Sequence, residues 1–182
     1  MEQGFLGTST YEFRKHDGTT TGDIAKYIRD YINNMEYGDF ELYIGCDSLP
    51  PKRQTTTFVV VVVIYRVGKG AHVVHKRFQE SIKSYKLSQK DGTYARLWHE
   101  VELAVDVAKH LRDSGLLNLN TKMRKLKSLT MDIHIDINPD KTYLSNKVYS
   151  AAVGFIKGQG FEWHAKPNAP AASYAADHIC RW

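Results

Sequence analysis

The sequence predicts an α/β fold: a mixed five-stranded sheet whose first three strands run antiparallel, with helices on both faces and an N-terminal helix ahead of it. Three observations carry this. Phe40–Asp47 (FELYIGCD), Thr55–Val67 and Ala71–Gln79 follow one another through short turns, and strands joined that way pair antiparallel. From Tyr94 to Arg112 the apolar period changes to 3.6, with Leu97, Val101, Ala104, Val105, Ala108 and Leu111 on one face. Beyond that helix, strand and helix signals alternate, an order that brings crossover connections and parallel neighbours into the sheet.

Taken in order, residues 1–20 read as an irregular arm in which Gly, Thr and Ser separate isolated aromatics. A helix follows Thr20–Thr21, because Ile24, Tyr27, Ile28, Tyr31, Ile32 and Met35 form one apolar stripe, and Tyr37-Gly38-Asp39 ends it. Residues 1–39 are therefore expected to be an arm and helix packed on the core, and 40–182 one globular unit. The first strand alternates and is expected to stop in a Ser48–Lys52 turn containing two prolines. The second is β-branched almost throughout, as suits a central strand buried on both faces. Gly68-Lys69-Gly70 makes the hairpin turn into a more polar third strand. Gly115 lies just past the long helix, where a helix stop belongs. A basic loop, Lys122–Lys127 (KMRKLK), leads into Leu129–Ile137 (LTMDIHIDI), which turns Ile133, Ile135 and Ile137 one way and Asp132, His134 and Asp136 the other. A helix from Leu144 to Lys157, a short strand Phe161–Ala165 and a last helix from about Ala171 to Cys180 follow.

Composition narrows the class. The 182 residues are 42% hydrophobic and 25% charged with both signs mixed, which excludes a disordered or collagen-like chain. The longest apolar run, Phe58–Tyr65, is eight residues, against the ~20 a membrane helix needs. MEQGFLGTSTYEF at the start has no basic stretch followed by an apolar one, so no secretion signal is expected. Cys46 and Cys180 sit in no metal spacing and no disulfide framework, which points to free thiols in a reducing cytoplasm. The net charge of +5 is compatible with a polyanionic partner and with an ordinary solvated surface.

Four acids stand out by position: Asp47 at the end of the first strand, Glu100 within the long helix, Asp136 at the end of the fourth strand and Asp177 in the last helix. Asp47, Asp136 and Asp177 interrupt apolar neighbourhoods, where an ionised carboxylate is costly unless a cation meets it. A divalent ion with hard-oxygen preference answers for several acids at once, and four carboxylates balance two such ions. A solvated or structural role is the alternative for each, and Glu102 and Asp106 share the helix with Glu100, so spacing alone does not choose among them. Candidate phosphate contacts are Lys122, Arg124, Lys125 and Lys127 in the basic loop, and Lys76 and Arg77 beside His75. Lys83, Lys86 and Lys90 around Tyr85 add charge, and Lys166 lies beside the proposed centre. A solvated charged surface explains the same stretches. No phosphate-binding glycine loop, serine nucleophile elbow or dinucleotide fingerprint is present.

IGCDS (44–48), GKGA (68–71), the helix around Glu100, HIDIN (134–138) and KPNAPAASYAAD (166–177) together resemble the ribonuclease H-like superfamily, most closely its small bacterial YkuK-type family. The pieces span roughly residues 40–180. The resemblance implies a metal-dependent nuclease, with Asp47, Glu100, Asp136 and Asp177 as both catalytic residues and ligands of two Mg²⁺ or Mn²⁺ ions. It favours Glu100 over Glu102. His164 or His178 would shuttle a proton, and the partner would be nucleic acid, an RNA–DNA hybrid or DNA. A non-catalytic nucleic-acid-binding module of the same fold is the competing reading, and a resolvase-like junction nuclease, which would require a dimer, is a third.

Overall fold

A computed structural model describes residues 11–52, 55–81, 89–117, 126–143 and 145–181. The β-branched run becomes β4 (Thr55–Arg66), flanked by β3 (Gly38–Lys52) and β5 (Gly70–Ser81), both antiparallel to it. β6 (Leu126–Ile135) lies parallel to β3, and β7 (Glu162–Ala165) lies parallel to β6. The sheet has seven strands rather than five. The two extra ones are β1 (Glu12–Arg14) and β2 (Thr20–Asp23), a short antiparallel pair added beyond β5, and the sheet order is β2-β1-β5-β4-β3-β6-β7. Their sequence carries no alternation to read: of β1 only Phe13 is buried, and β2 has no buried residue. Edge pairing with β5, not a hydrophobic pattern, makes them strands.

Among the described residues a strand pair, not a helix, therefore comes first. α1 (Ile24–Asn34) follows the β1–β2 pair, capped by Asp23 Oδ1, which accepts the Lys26 N–H at 2.9 Å. The first long strand also outlasts its expected stop. β3 continues through Pro50 and Pro51 to Lys52, with its register shifting between Leu49 and Lys52, the kind of irregularity that accommodates proline in a strand.

α1, α2 (Gln89–Asp113) and α3 (Asn146–Gly158) all cover one face of the sheet, where Phe40, Leu42 and Ile44 of β3, Phe58, Val60, Val62 and Ile64 of β4 and Ile133 and Ile135 of β6 form the main core. Among the described residues, the other face carries only a π-helix, Ala171–Ala176, running directly into the single turn of α4 (Asp177–Cys180). Ala171, Ala176, Ile179 and Cys180 pack there on Val59, Val61 and Val63. Both sides of β4 are thus covered, which is why Val59–Val62 need no polar alternation. Gly45 permits the close seat of the π-helix: a Cβ there would stand 2.5 Å from the Ala172 nitrogen and 2.7 Å from the Ala171 carbonyl carbon.

Candidate active site

β3 and β6 are paired with Gly45 opposite His134. Two residues further along each strand, just past the last β3–β6 pair, where β6 has ended and β3 runs on beside β4, Asp47 and Asp136 come side by side on the face that carries the π-helix. Cys46, between Gly45 and Asp47, points into the main core on the opposite face. α4 closes over Asp47: the Cys180 thiol donates to the Asp47 carbonyl at 3.4 Å, and the Asp177 carboxylate lies near enough for its charge to act on the Asp47 side chain. Glu100 approaches from the other side. It is 4% exposed on the sheet-facing surface of α2 and lines one small crevice with Asp136 and Cys46.

Partial burial, with the charges of Asp136 and Asp177 adding to it, pushes the Asp47 carboxyl up to about 6, although the Ser48 N–H bonds to it. Burial pushes Glu100 up to about 8, with Asp47 and Asp136 adding to that and Arg96 opposing it. For an acid, a folded-state value above the unfolded one means that the folded chain holds its proton to higher pH. Stability is then fully present below about 4 and declines as pH rises through 6 and 8. At about 1.4 kcal/mol per pKa unit, Asp47 alone accounts for up to about 3 kcal/mol. The melting temperature of chelator-treated protein is expected to fall by about 5–10 °C between pH 5 and pH 8. A flat or rising profile in differential scanning fluorimetry would contradict the assigned environments.

Three of the four acids are already held by cations. Arg96 Nη1 donates to Glu100 Oε1 at 3.0 Å and to Ser48 Oγ at 2.6 Å, while Ser48 Oγ donates to Glu100 Oε1 at 2.5 Å. Lys166 Nζ lies 2.9 Å from Asp136 Oδ1, the oxygen that also accepts the Ser173 hydroxyl at 2.6 Å. Arg181 grips Asp177 through Nε and Nη2, the latter at 2.7 Å. As the side chains stand, no three His, Cys, Asp or Glu among the described residues form a group able to hold a metal ion. The donor chemistry nevertheless suits Mg²⁺ or Mn²⁺: the acids supply hard carboxylate oxygens, and Asp47 is partly buried with like charges close by. Asp136 and Asp177 would have to exchange Lys166 and Arg181 for the ion.

The remaining sequence candidates are scattered. Glu102 is turned away from the site and accepts from the Trp98 indole at 2.8 Å, so the rotation of α2 puts Glu100 inward. His164 is exposed on β7, 3.6 Å from Asp132 and edge-on to His134. His178, exposed on α4, lies beside Asp177. Lys76 and Arg77 separate by strand alternation: Arg77 pairs with Val59 on the site-bearing face, whereas Lys76 pairs with Val60 and turns half-buried to the opposite one. Lys127 bonds Asp39 at 3.0 Å at the start of β6, nine residues or about 30 Å of strand from Asp136. Lys122, Arg124 and Lys125, like Lys83, Lys86 and Tyr85, lie outside the described residues, as does the side chain of Lys90. Sequence reading missed Arg96, Ser48, Ser173 and Gly45. Arg96 had a signal in its i, i+4 spacing to Glu100; the others had none short of the pairing of β3 with β6 and the seat of the π-helix.

No curated protein and no solved structure matches the chain. The family described as Ribonuclease H-like matches residues 23–181, nearly everything described above, including all four carboxylates. The chain belongs to this ribonuclease H-like family.

Proposed function

We propose that the protein is a metal-dependent nuclease that hydrolyses phosphodiester bonds, the RNA strand of an RNA–DNA hybrid being the favoured substrate. The observation that carries the reading is the convergence of Asp47 from within β3, Asp136 from just past the end of β6 and Asp177 from the helix above them, with Glu100 behind. These four would hold two Mg²⁺ or Mn²⁺ ions. When bound, such ions lower the pKa of an attacking water and neutralise charge on the scissile phosphate and the departing oxygen.

The chain's own residues then have distinct tasks. Ser48 and Arg96 hold Glu100, and Arg96 also ties down the Ser48 carbonyl of β3, so that Asp47 keeps its aim. Lys166, released from Asp136, faces a non-bridging phosphate oxygen as a point charge. Water adds to phosphorus, the bond to the 3′ oxygen breaks, and that oxygen takes a proton, for which His178, beside Asp177, and His164 are the proposed imidazole donors. The products are a 5′-phosphate and a 3′-hydroxyl.

One observation favours the competing reading, a binding module that does not cut: Arg96, Lys166 and Arg181 already neutralise three of the four acids. The deciding experiment incubates end-labelled hybrid, single-stranded and branched substrates with Mg²⁺ or Mn²⁺, comparing wild type with Asp136→Asn. Metal-dependent products lost in the variant support the nuclease. Salt-sensitive binding without products in either metal supports the module. At pH 8, Mn²⁺ is expected to raise the wild-type melting temperature by several degrees, since an ion bound only by the folded chain stabilises it.

A further inference from the structure

Because α4 is one turn long and the π-helix is short, the described residues cover the site-bearing face of the sheet only in part. Beside these elements lies an open groove of about 850 Å³, walled by Tyr43, Val63, Tyr65 and Val73 from the sheet and by Tyr174 from the π-helix. Tyr174 is 68% exposed, one of few large apolar side chains so displayed. Tyr43 and Tyr65 lie nearly parallel with centroids 6.1 Å apart. The groove also touches Asp177 and Arg181, so one of the four candidate carboxylates stands on its wall. From Tyr43 to Asp47 is four residues of strand, about 13 Å.

The same face carries positive charge. Arg14, His75 and Val61 are in register across β1, β5 and β4, and Arg77 projects two residues beyond His75. The charges of Arg14, His16 and Arg77 converge on His75, and Arg77 is close enough to act on Cys180 of α4. An apolar, tyrosine-walled groove bordered by a basic strip and reaching Asp177 is complementary to a ligand with flat apolar faces on an anionic backbone. Unpaired nucleotides have that chemistry. A duplex does not, because its bases show their edges and keep their faces inside the stack.

Resting on the nuclease reading above, we infer that the groove seats unpaired nucleotides of the substrate strand beside the cut, with a base stacked on Tyr174, so that a strand with an unpaired tail is preferred over a blunt duplex. The full-length Asp47→Asn protein, expected on that reading to bind without cutting, is titrated with fluorescent single-stranded RNA, a blunt RNA–DNA hybrid and the same hybrid with an unpaired RNA tail. Single-stranded and tailed substrates should bind about tenfold tighter than the blunt one. Adding Tyr174→Ala should weaken their binding by about 5- to 150-fold, the range for loss of one base–aromatic stack, while blunt hybrid is unaffected and Tyr174→Phe retains the preference.

Equal affinity for blunt and tailed hybrid, or tailed binding insensitive to Tyr174→Ala, overturns the inference. So does a groove filled by a second copy of the chain, seen in sedimentation as a dimer that Tyr174→Ala dissociates, with no preference for unpaired strands. The two readings fail separately. Metal-dependent cleavage by wild type without tail preference sinks this inference alone; Tyr174-dependent capture of single strands without cleavage by wild type sinks the nuclease alone.

Discussion

Asp47→Asn is expected to lower the rate of metal-dependent cleavage by about three orders of magnitude while raising the melting temperature of the metal-free protein at pH 8. Both effects come from the same carboxylate. Asp47 stands just past the last pair between β3 and β6, with Asp136 beside it and Asp177 above, and burial among like charges pushes its carboxyl up to about 6. At pH 8 the folded chain must carry that charge at a cost of up to about 3 kcal/mol. An amide of the same shape removes the charge and its cost. It also removes the hard anionic oxygen a divalent ion would require, and losing one principal charge-stabilising group from an active site costs about 10²–10³-fold or more. The check is a pair of measurements on one preparation: cleavage rates with Mn²⁺, and melting temperature with chelator. Unchanged cleavage would remove Asp47 from the mechanism. Lost cleavage with a lowered melting temperature would mean that the variant had damaged the fold.

The second large effect is expected at Gly45, which touches no substrate. A methyl group there meets the backbone of Ala171 and Ala172 at 2.5–2.9 Å, and backbone atoms have nowhere to rotate. The π-helix would have to lift from the sheet, at about 3 kcal/mol or more. With it would go the Ser173 hydroxyl on Asp136, the Ala171 N–H on His134 and the seat of Asp177. Gly45→Ala should therefore lower the melting temperature by about 6–12 °C. It should also depress cleavage at temperatures where the protein remains folded. Gly154→Ala on α3 is the control, because a Cβ there has no atom within 4 Å and alanine favours a helix interior by up to about 1 kcal/mol. Similar losses at both positions would show that the effect at Gly45 is not the crowding of the π-helix.

Most of the sheet was legible because its strands declare themselves by period. β4 is readable as a doubly covered strand from its valines, and β6 from the alternation of Ile133 and Ile135 with Asp132 and His134. β1 and β2 were not, since Phe13 is their only core residue and edge pairing leaves no pattern. The carboxylates could be named from position in the chain, but not chosen between. Glu100 and Glu102 are about 200° apart on α2, and only the packing of that helix decides which turns inward. The basic residues were the least legible. Neighbours in sequence look like one patch, yet alternation sends Lys76 and Arg77 to opposite faces, and the run of β6 carries Lys127 to the far end of the sheet.

The chain positions that make the centre also set when it can exist. β3, β4 and β5 are consecutive and can pair as soon as they are made, but Asp136 reaches Asp47 only after the crossover through α2, and the π-helix and α4 come after every strand. During synthesis, a chain with its hairpins formed still lacks Asp136 and the cover bearing Asp177. The cutting chemistry proposed for this centre is thereby withheld from nascent and half-folded chains, which spend their time among RNA.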